Sequence, residues 1–145
     1  EDLAEIIRHR FTNPKETLKE LFSRITFNIL CGNTDDHARN HAAFFDGKML
    51  TLTPAYDICP QGRAGNEASQ AMLISNNNRM SKISSCLDAA KNFLLSHEQA
   101  NAIIEHQVKT ITNKWDDVCD EARLSQVNRK LFWKRQFLNP YIFDK

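Results

Sequence analysis

The sequence has little of what marks a membrane protein, a disulfide-stabilised domain or a polyanion-binding protein. None of its apolar runs approaches the roughly 18 residues that a membrane-spanning helix needs. It has four cysteines, and no two of them have the C-x-x-C spacing of zinc and redox sites. The formal net charge is +1, so charge alone indicates neither a nucleic-acid nor a membrane partner. We therefore expect a cytoplasmic protein with reduced thiols, no membrane contact and no direct nucleic-acid contact.

Glycine is also scarce. The four glycines form neither a G-x-G-x-x-G nor a P-loop pattern, so the sequence lacks both common kinds of phosphate-binding loop. The chain begins with Glu1 rather than methionine, and we expect it to be a fragment of a longer protein. A length of 145 residues, with 41% hydrophobic and 26% charged residues, predicts one compact domain with its own core.

Most of the chain has helical patterning. The segment Asn13–Glu16 predicts a helix start, because asparagine can cap a first turn, proline suits its opening and glutamate can reach back. Apolar residues then recur every three or four positions from Leu18 to Ile29, and Gly32 follows where a helix commonly ends. Later helices are predicted near residues 85–95, from a capping box at 96–99 onward, and from 125 to about 136.

The pattern changes between residues 33 and 78. Apolar pairs flank Asp46-Gly47-Lys48, and Asp-Gly is a strong short-range signal for a β-hairpin. We therefore predict a two-stranded hairpin at about residues 42–53, bracketed by polar loops. The fold class that follows is mainly α with a short β-hairpin.

Three oxygen-bearing side chains bracket the predicted hairpin: Asp35 and Asn40 precede it, and Asp57 follows it. Phosphoryl transfer to a hydroxyl needs a carboxylate that takes the proton and oxygen ligands that hold Mg²⁺ against the phosphates. In protein kinases a catalytic Asp precedes a metal-binding Asn by five positions, and a second metal-binding Asp comes later. Asp35 and Asn40 have this spacing, and a hairpin between them and Asp57 can bring Asp57 back towards Asn40.

Two segments resemble one known family. FNILCGNTDDHARN, residues 27–40, resembles the catalytic segment of HipA-like serine/threonine kinases, and LTPAYDI, residues 52–58, resembles their metal-binding segment. The resemblance implies the helical C-lobe of a protein-kinase-like fold over residues 1–145, with the nucleotide-binding N-terminal half missing. It also implies a catalytic set of Asp35 as base and His37 as a brace of its loop. Asn40 and Asp57 would bind Mg²⁺ and, through it, ATP.

The resemblance further implies a bacterial, Mg²⁺-dependent kinase that transfers the γ-phosphate of ATP to a serine or threonine of a protein. Many HipA-like kinases are toxins neutralised by a DNA-binding, HipB-like antitoxin, and some modify an aminoacyl-tRNA synthetase. The implied partners are therefore ATP, such a protein substrate and a HipB-like antitoxin. Because the ATP-pairing lysine and the phosphate-covering loop are missing, we expect the fragment alone to be inactive.

For the other acidic and histidine residues of this segment, we expect structural roles or exposure to solvent. Asp36 is expected to be exposed or to cap a loop, because only Asp35 has the kinase offset to Asn40. His37 is expected to be a structural core histidine that donates to a backbone carbonyl rather than to transfer a proton. His41 is expected to be structural or exposed.

Three other functions remain open from the sequence. Aminoglycoside- and choline-kinase-like enzymes, which phosphorylate small molecules, share the Asp, His and Asn pattern. A helical interaction module that has lost catalysis would need none of these side chains. A metal hydrolase could use Asp35, His37, His41 and Asp57, but it has little reason to require the amide of Asn40.

Overall fold

The computed structural model describes residues 2–144. Five α-helices and one antiparallel hairpin make up this part of the chain, which confirms the predicted mainly α class with a short β-hairpin. None of these helices is both long and apolar enough to cross a membrane. The elements are α1 (Asp2–Arg10), α2 (Pro14–Cys31), β1 (Ala43–Phe45), β2 (Leu50–Leu52), α3 (Ile83–Ala89), α4 (His97–Glu121) and α5 (Gln126–Phe132), with 3-10 turns at Ala38–Asn40, Ala90–Phe93 and Pro140–Phe143.

Helix α2 lies at the centre of the fold. It begins at Pro14, as predicted, but the Asn13 side chain makes no capping hydrogen bond, because its φ of −126° and ψ of 77° differ from the extended geometry of a cap. Most of its apolar face is buried, against α1, α3 and α4. The Phe22 ring packs edge-on against Phe93, with ring centroids 5.4 Å apart. This packing fixes the helix whose C-terminal end carries the predicted catalytic loop.

Helix α2 ends at Gly32, which adopts the left-handed conformation at φ 74°. The chain near the C-terminus approaches it closely: a Cβ added at Gly32 would lie 2.6 Å from the carbonyl oxygen of Gln136. Two residues further on, the Leu138 amide donates to the carbonyl of Leu30 at 2.8 Å. Glycine is therefore required here both for its backbone conformation and for the absence of a side chain.

The Gly32→Ala substitution is expected to lower the free energy of unfolding by about 2 to 4 kcal/mol, since left-handed strain and an overpacked contact add. Gly47→Ala is the matched control, because Gly47 also has a positive φ, 96°, but has open space around its Cα. The control substitution should lower the free energy of unfolding by only about 1 kcal/mol, which is the cost of the left-handed backbone conformation. Urea unfolding of both variants measures the difference, and equal losses would contradict the close approach of Gln136.

The hairpin is confirmed within the predicted range. Its register pairs Ala43 with Leu52, Phe44 with Thr51 and Phe45 with Leu50. At the turn, the Asp46 carboxylate accepts hydrogen bonds from the amides of Lys48 and Met49, each at 2.8 Å. These two bonds lower the pKa of Asp46 below its usual value. The turn is therefore determined locally, by the hydrogen bonds to the Asp46 side chain and the positive φ of Gly47.

The other end of the hairpin is tied to helix α2. The Thr53 amide donates to the carbonyl of Ala42 at 2.9 Å, so the chain leaves and returns at adjacent points. Arg24 of α2 donates from Nη2 to the carbonyl of Thr53 at 2.7 Å. The residues just before and just after the hairpin are therefore held side by side next to α2.

The C-terminal helices follow their predictions in part. The capping box is confirmed: the Gln99 amide donates to Ser96 Oγ at 3.1 Å, and the Ser96 amide donates to Gln99 Oε1 at 3.0 Å. The helix predicted at residues 85–95 starts earlier and changes to a 3-10 turn after Ala89, and Leu94 is exposed in a left-handed turn. Helix α5 ends at Phe132, because the chain then turns back towards α2.

Candidate active site

Asn33 organises the loop that follows α2. Its side-chain Nδ2 donates to Asn28 Oδ1 at 3.1 Å and to the backbone carbonyl of Asp57 at 3.3 Å. Its own carbonyl accepts from Gln70 Nε2 at 3.0 Å. Asn33 is buried and links α2, the segment after the hairpin and a later loop. No local sequence signal marks Asn33 for this role, since its partners Asp57 and Gln70 are distant in the chain.

Asp35 and His37 are in contact. His37 Nε2 lies 2.7 Å from Asp35 Oδ1. This distance puts the imidazole and the carboxylate within ion-pair contact, whereas a backbone carbonyl was the expected partner of His37. The Asp35 side chain is 60% exposed, so its carboxylate remains open to a molecule arriving from solvent. The histidine thus lies against one carboxylate oxygen without covering the group.

Asn40 and Asp57 meet beside the end of the hairpin that is tied to α2. Asn40 Nδ2 donates a short hydrogen bond to Asp57 Oδ2, and Asn40 Oδ1 accepts from the His37 amide at 3.3 Å. Asn40 itself is buried and closes the 3-10 turn Ala38–Asn40. The structure therefore brings together an amide and a carboxylate that are 17 positions apart in the sequence.

The backbone around Asp57 is held in an uncommon conformation. Asp57 has φ 57°, in the left-handed region, which a non-glycine residue adopts at a cost of order 1 kcal/mol. Two bonds hold it there: Asn33 binds its carbonyl, and the preceding Tyr56 donates from its hydroxyl to the carbonyl of Arg39 at 2.7 Å. These bonds fix Asp57 against the turn that carries Asn40.

Asp36 and His41 correct the sequence expectation. Asp36 is neither exposed nor a loop cap: its Oδ1 lies 2.9 Å from His41 Nε2, and the side chains are only 5% and 4% exposed. Because an ionised carboxylate only accepts hydrogen bonds, Nε2 of His41 donates this bond. The pair closes the loop between residues 36 and 41, which carries His37 and Asn40. His41 is structural, as one of the two expectations had it.

Breaking this buried pair is expected to destabilise the fold. His41→Leu leaves the Asp36 carboxylate buried without a donor, which should lower the free energy of unfolding by about 3 kcal/mol. His9→Leu is the control, because His9 Nε2 lies 3.0 Å from Glu5 in an exposed pair and its loss should cause no measurable change. Urea denaturation of both variants gives the comparison. Equal stability of the two would show that the Asp36–His41 bond does not hold the loop.

The donor chemistry of Asn40 and Asp57 fits Mg²⁺. This ion prefers oxygen ligands and takes one or two carboxylates from a protein, with water and substrate phosphates completing its shell. Within residues 2–144, no three histidine, cysteine, aspartate or glutamate side chains are grouped to hold a metal. His41 is also engaged with Asp36. The metal-hydrolase interpretation would need His41 as a ligand, and its Nε2 is bonded to Asp36.

The cysteine next to this site is not a nucleophile. Burial raises the pKa of Cys31 to about 11, and it raises that of Cys86 to about 12. Neither thiol forms a thiolate near neutral pH. All four cysteines are free in the structure. Neither of these two buried thiols is therefore a candidate nucleophile.

The fold and the site define a mainly helical domain in which a catalytic-loop-like turn and a later carboxylate meet beside a hairpin. A family model described as the HipA-like C-terminal domain matches residues 1–115. This match covers well over half of the chain and includes every site residue named above. The chain belongs to the HipA-like C-terminal domain family. No match was found among curated proteins.

Proposed function

We propose that this chain is the catalytic, metal-binding half of a HipA-like serine/threonine kinase that transfers the γ-phosphate of ATP to a protein hydroxyl. The observation that carries the proposal is the contact between Asn40 and Asp57, with Asp35 five positions before Asn40 and open to solvent. This arrangement matches the order of base, amide ligand and carboxylate ligand in protein kinases. Family membership supports a kinase-related protein.

The proposed chemistry gives each side chain one task. The Asp35 carboxylate accepts the proton of the attacking hydroxyl as the hydroxyl oxygen bonds to the γ-phosphorus and the bond to ADP breaks. His37 contacts Oδ1 of this carboxylate at 2.7 Å, and the Asp35 side chain stays exposed to receive that proton. Asn40 and Asp57 would hold Mg²⁺, which supplies charge neutralisation at the phosphates when bound.

The proposal divides the work between two halves of a longer protein. The phosphate-covering loop and the ATP-pairing lysine would come from upstream sequence, because this chain has neither. The wider biology is proposed from the family: a bacterial, cytoplasmic toxin, a HipB-like antitoxin as partner and an aminoacyl-tRNA synthetase as one possible class of substrate. The 145 residues alone should bind ATP weakly and transfer no phosphate.

A transfer assay with γ-labelled ATP tests this function. The protein with its upstream half should label a protein hydroxyl in the presence of Mg²⁺, and addition of EDTA should abolish the labelling. The 145-residue chain serves as the inactive comparison. Label on choline or an aminoglycoside, with none on protein, would favour a small-molecule kinase instead. A folded protein that labels neither class of acceptor would contradict the proposal.

A further inference from the structure

Arg63 is a buried cation with few partners. It is 8% exposed, and its Nη2 donates to the carbonyl of Asn66 at 2.8 Å. Its Nε and Nη1 atoms are buried and have no hydrogen-bond partner within residues 2–144. Burial lowers the pKa of the guanidinium below its usual value, which is the effect of removing a cation from water. A buried charge of this kind is costly unless an acceptor pairs with it.

Two more cations gather around Arg63. Its guanidinium lies 5.7 Å from the ring centre of Tyr141, and Lys82 Nζ lies 4.8 Å from the same ring centre. Arg135 donates from Nη2 to the backbone carbonyl of Arg63 at 3.1 Å. None of the three cations forms an ion pair with a carboxylate in the described part of the chain. The cluster is therefore electropositive and lacks its own counter-charge.

The nearest carboxylates do not neutralise the cluster. Burial, followed by the charges of Glu67 and Asp144, raises the pKa of Tyr141, while Arg63 opposes this increase. Both acidic residues are exposed, and neither comes within ion-pair distance of Arg63. Lys82 is only partly buried, so solvent reaches the cluster beside it.

A hydroxyl completes the set of donors. Ser81 precedes Lys82, is fully buried, and its Oγ has no partner among the described residues. The Ser81 amide donates to the carbonyl of Ala68 at 2.9 Å, which places Ser81 beside the loop that carries Arg63. Guanidinium, ammonium and hydroxyl groups are the donors that proteins use for phosphate oxygens.

We propose that Arg63, Lys82 and Ser81 form a binding site for a phosphate group, separate from the Asn40–Asp57 pair. The phosphate supplies the charge and the acceptor oxygens that Arg63 lacks. The site also lies in a loop that supports the catalytic segment. The Gln61 amide donates to the Gly32 carbonyl at 3.0 Å, and Gln70 binds Asn33. An occupied site would therefore stabilise the loop that packs against the start of the catalytic segment.

Phosphate binding to the 145-residue chain tests the proposal without any assay of kinase activity. The thermal midpoint should rise with inorganic phosphate, relative to chloride at equal ionic strength. Arg63→Gln should abolish this increase. Lys82→Gln should weaken phosphate binding about 10-fold or more, since a hydrogen bond to a charged group is lost. Lys130→Gln, an exposed lysine on α5, is the control and should leave phosphate binding unchanged.

Two additions make the test decisive. Arg63→Lys keeps the charge and serves if Arg63→Gln fails to fold; it should bind phosphate several-fold more weakly, because lysine has fewer donors. A parallel titration with O-phosphoserine separates two sources: preference for inorganic phosphate indicates a free ion, and preference for phosphoserine indicates a phosphorylated side chain. The proposal would be overturned if phosphate did not stabilise the wild type, or if it stabilised the Arg63 variants equally. Buried water would then be the remaining partner for the unpaired atoms of Arg63.

Discussion

Replacing Asp35 with alanine, in the protein that includes its upstream half, is expected to lower the turnover of phosphate transfer by a factor of about 10² or more. Within residues 2–144 this carboxylate is the only one at ion-pair distance from His37, and its side chain is 60% exposed. The alanine variant therefore removes the group proposed to accept the proton of the hydroxyl. Binding of ATP should be little changed, because Asp35 is not proposed to bind the nucleotide.

Two further variants make the Asp35 result specific. Asp35→Asn retains the size of the side chain but removes its basicity, so it should lose nearly as much turnover as the alanine variant. Asp88→Ala removes an exposed carboxylate of α3 and should leave turnover unchanged. Near-normal turnover in both Asp35 variants would remove Asp35 from the mechanism. If the protein's cellular function also persisted in Asp35→Asn and Asp57→Asn, the interaction-module interpretation would be favoured.

Loss of the proposed metal ligands is expected to have the second large effect. Asp57→Asn and Asn40→Ala should each lower turnover by about 10²- to 10³-fold, the order expected when a main source of charge stabilisation is lost. Unlike the Asp35 variants, both should also need more Mg²⁺ for half-maximal activity. Titration of Mg²⁺ in the transfer assay measures this difference.

The two ligand variants should also be coupled. Because Asn40 and Asp57 would act on one ion, the double variant should be little worse than either single variant. Asn113→Ala, on the exposed face of α4, and Asp88→Asn are the matched controls and should keep the Mg²⁺ dependence of the wild type. Losses that simply multiply would show that the two residues act independently.

Local chemistry explains which parts of the fold were predictable. The end of α2 at Gly32 and the turn at Asp46-Gly47 follow from the conformation of glycine and the hydrogen bonds of a short acidic side chain. The start of α4 follows from the capping box of Ser96 and Gln99. Each of these signals lies within a few residues of the turn or helix end that it determines. These features can therefore be predicted from a single sequence.

Tertiary contacts explain what the sequence did not reveal. Helix α5 ends at Phe132, before its predicted end, where the chain turns towards α2. Asp36 is buried because the fold places His41 against it, and an acidic residue in a polar loop carries no sign of that burial. Asn33 gains its role from Asp57 and Gln70, 24 and 37 positions away. Such roles depend on where the fold brings distant segments together.

The most direct test of the account is the position of the ion. A crystal structure of the protein with its upstream half, a non-hydrolysable ATP analogue and Mn²⁺ in place of Mg²⁺ would locate it by anomalous scattering. We expect a Mn²⁺ peak at about 2.0–2.3 Å from Asn40 Oδ1 and from a carboxylate oxygen of Asp57, in contact with the phosphates. A nucleotide-bound structure in which the metal is held without either side chain would contradict the account.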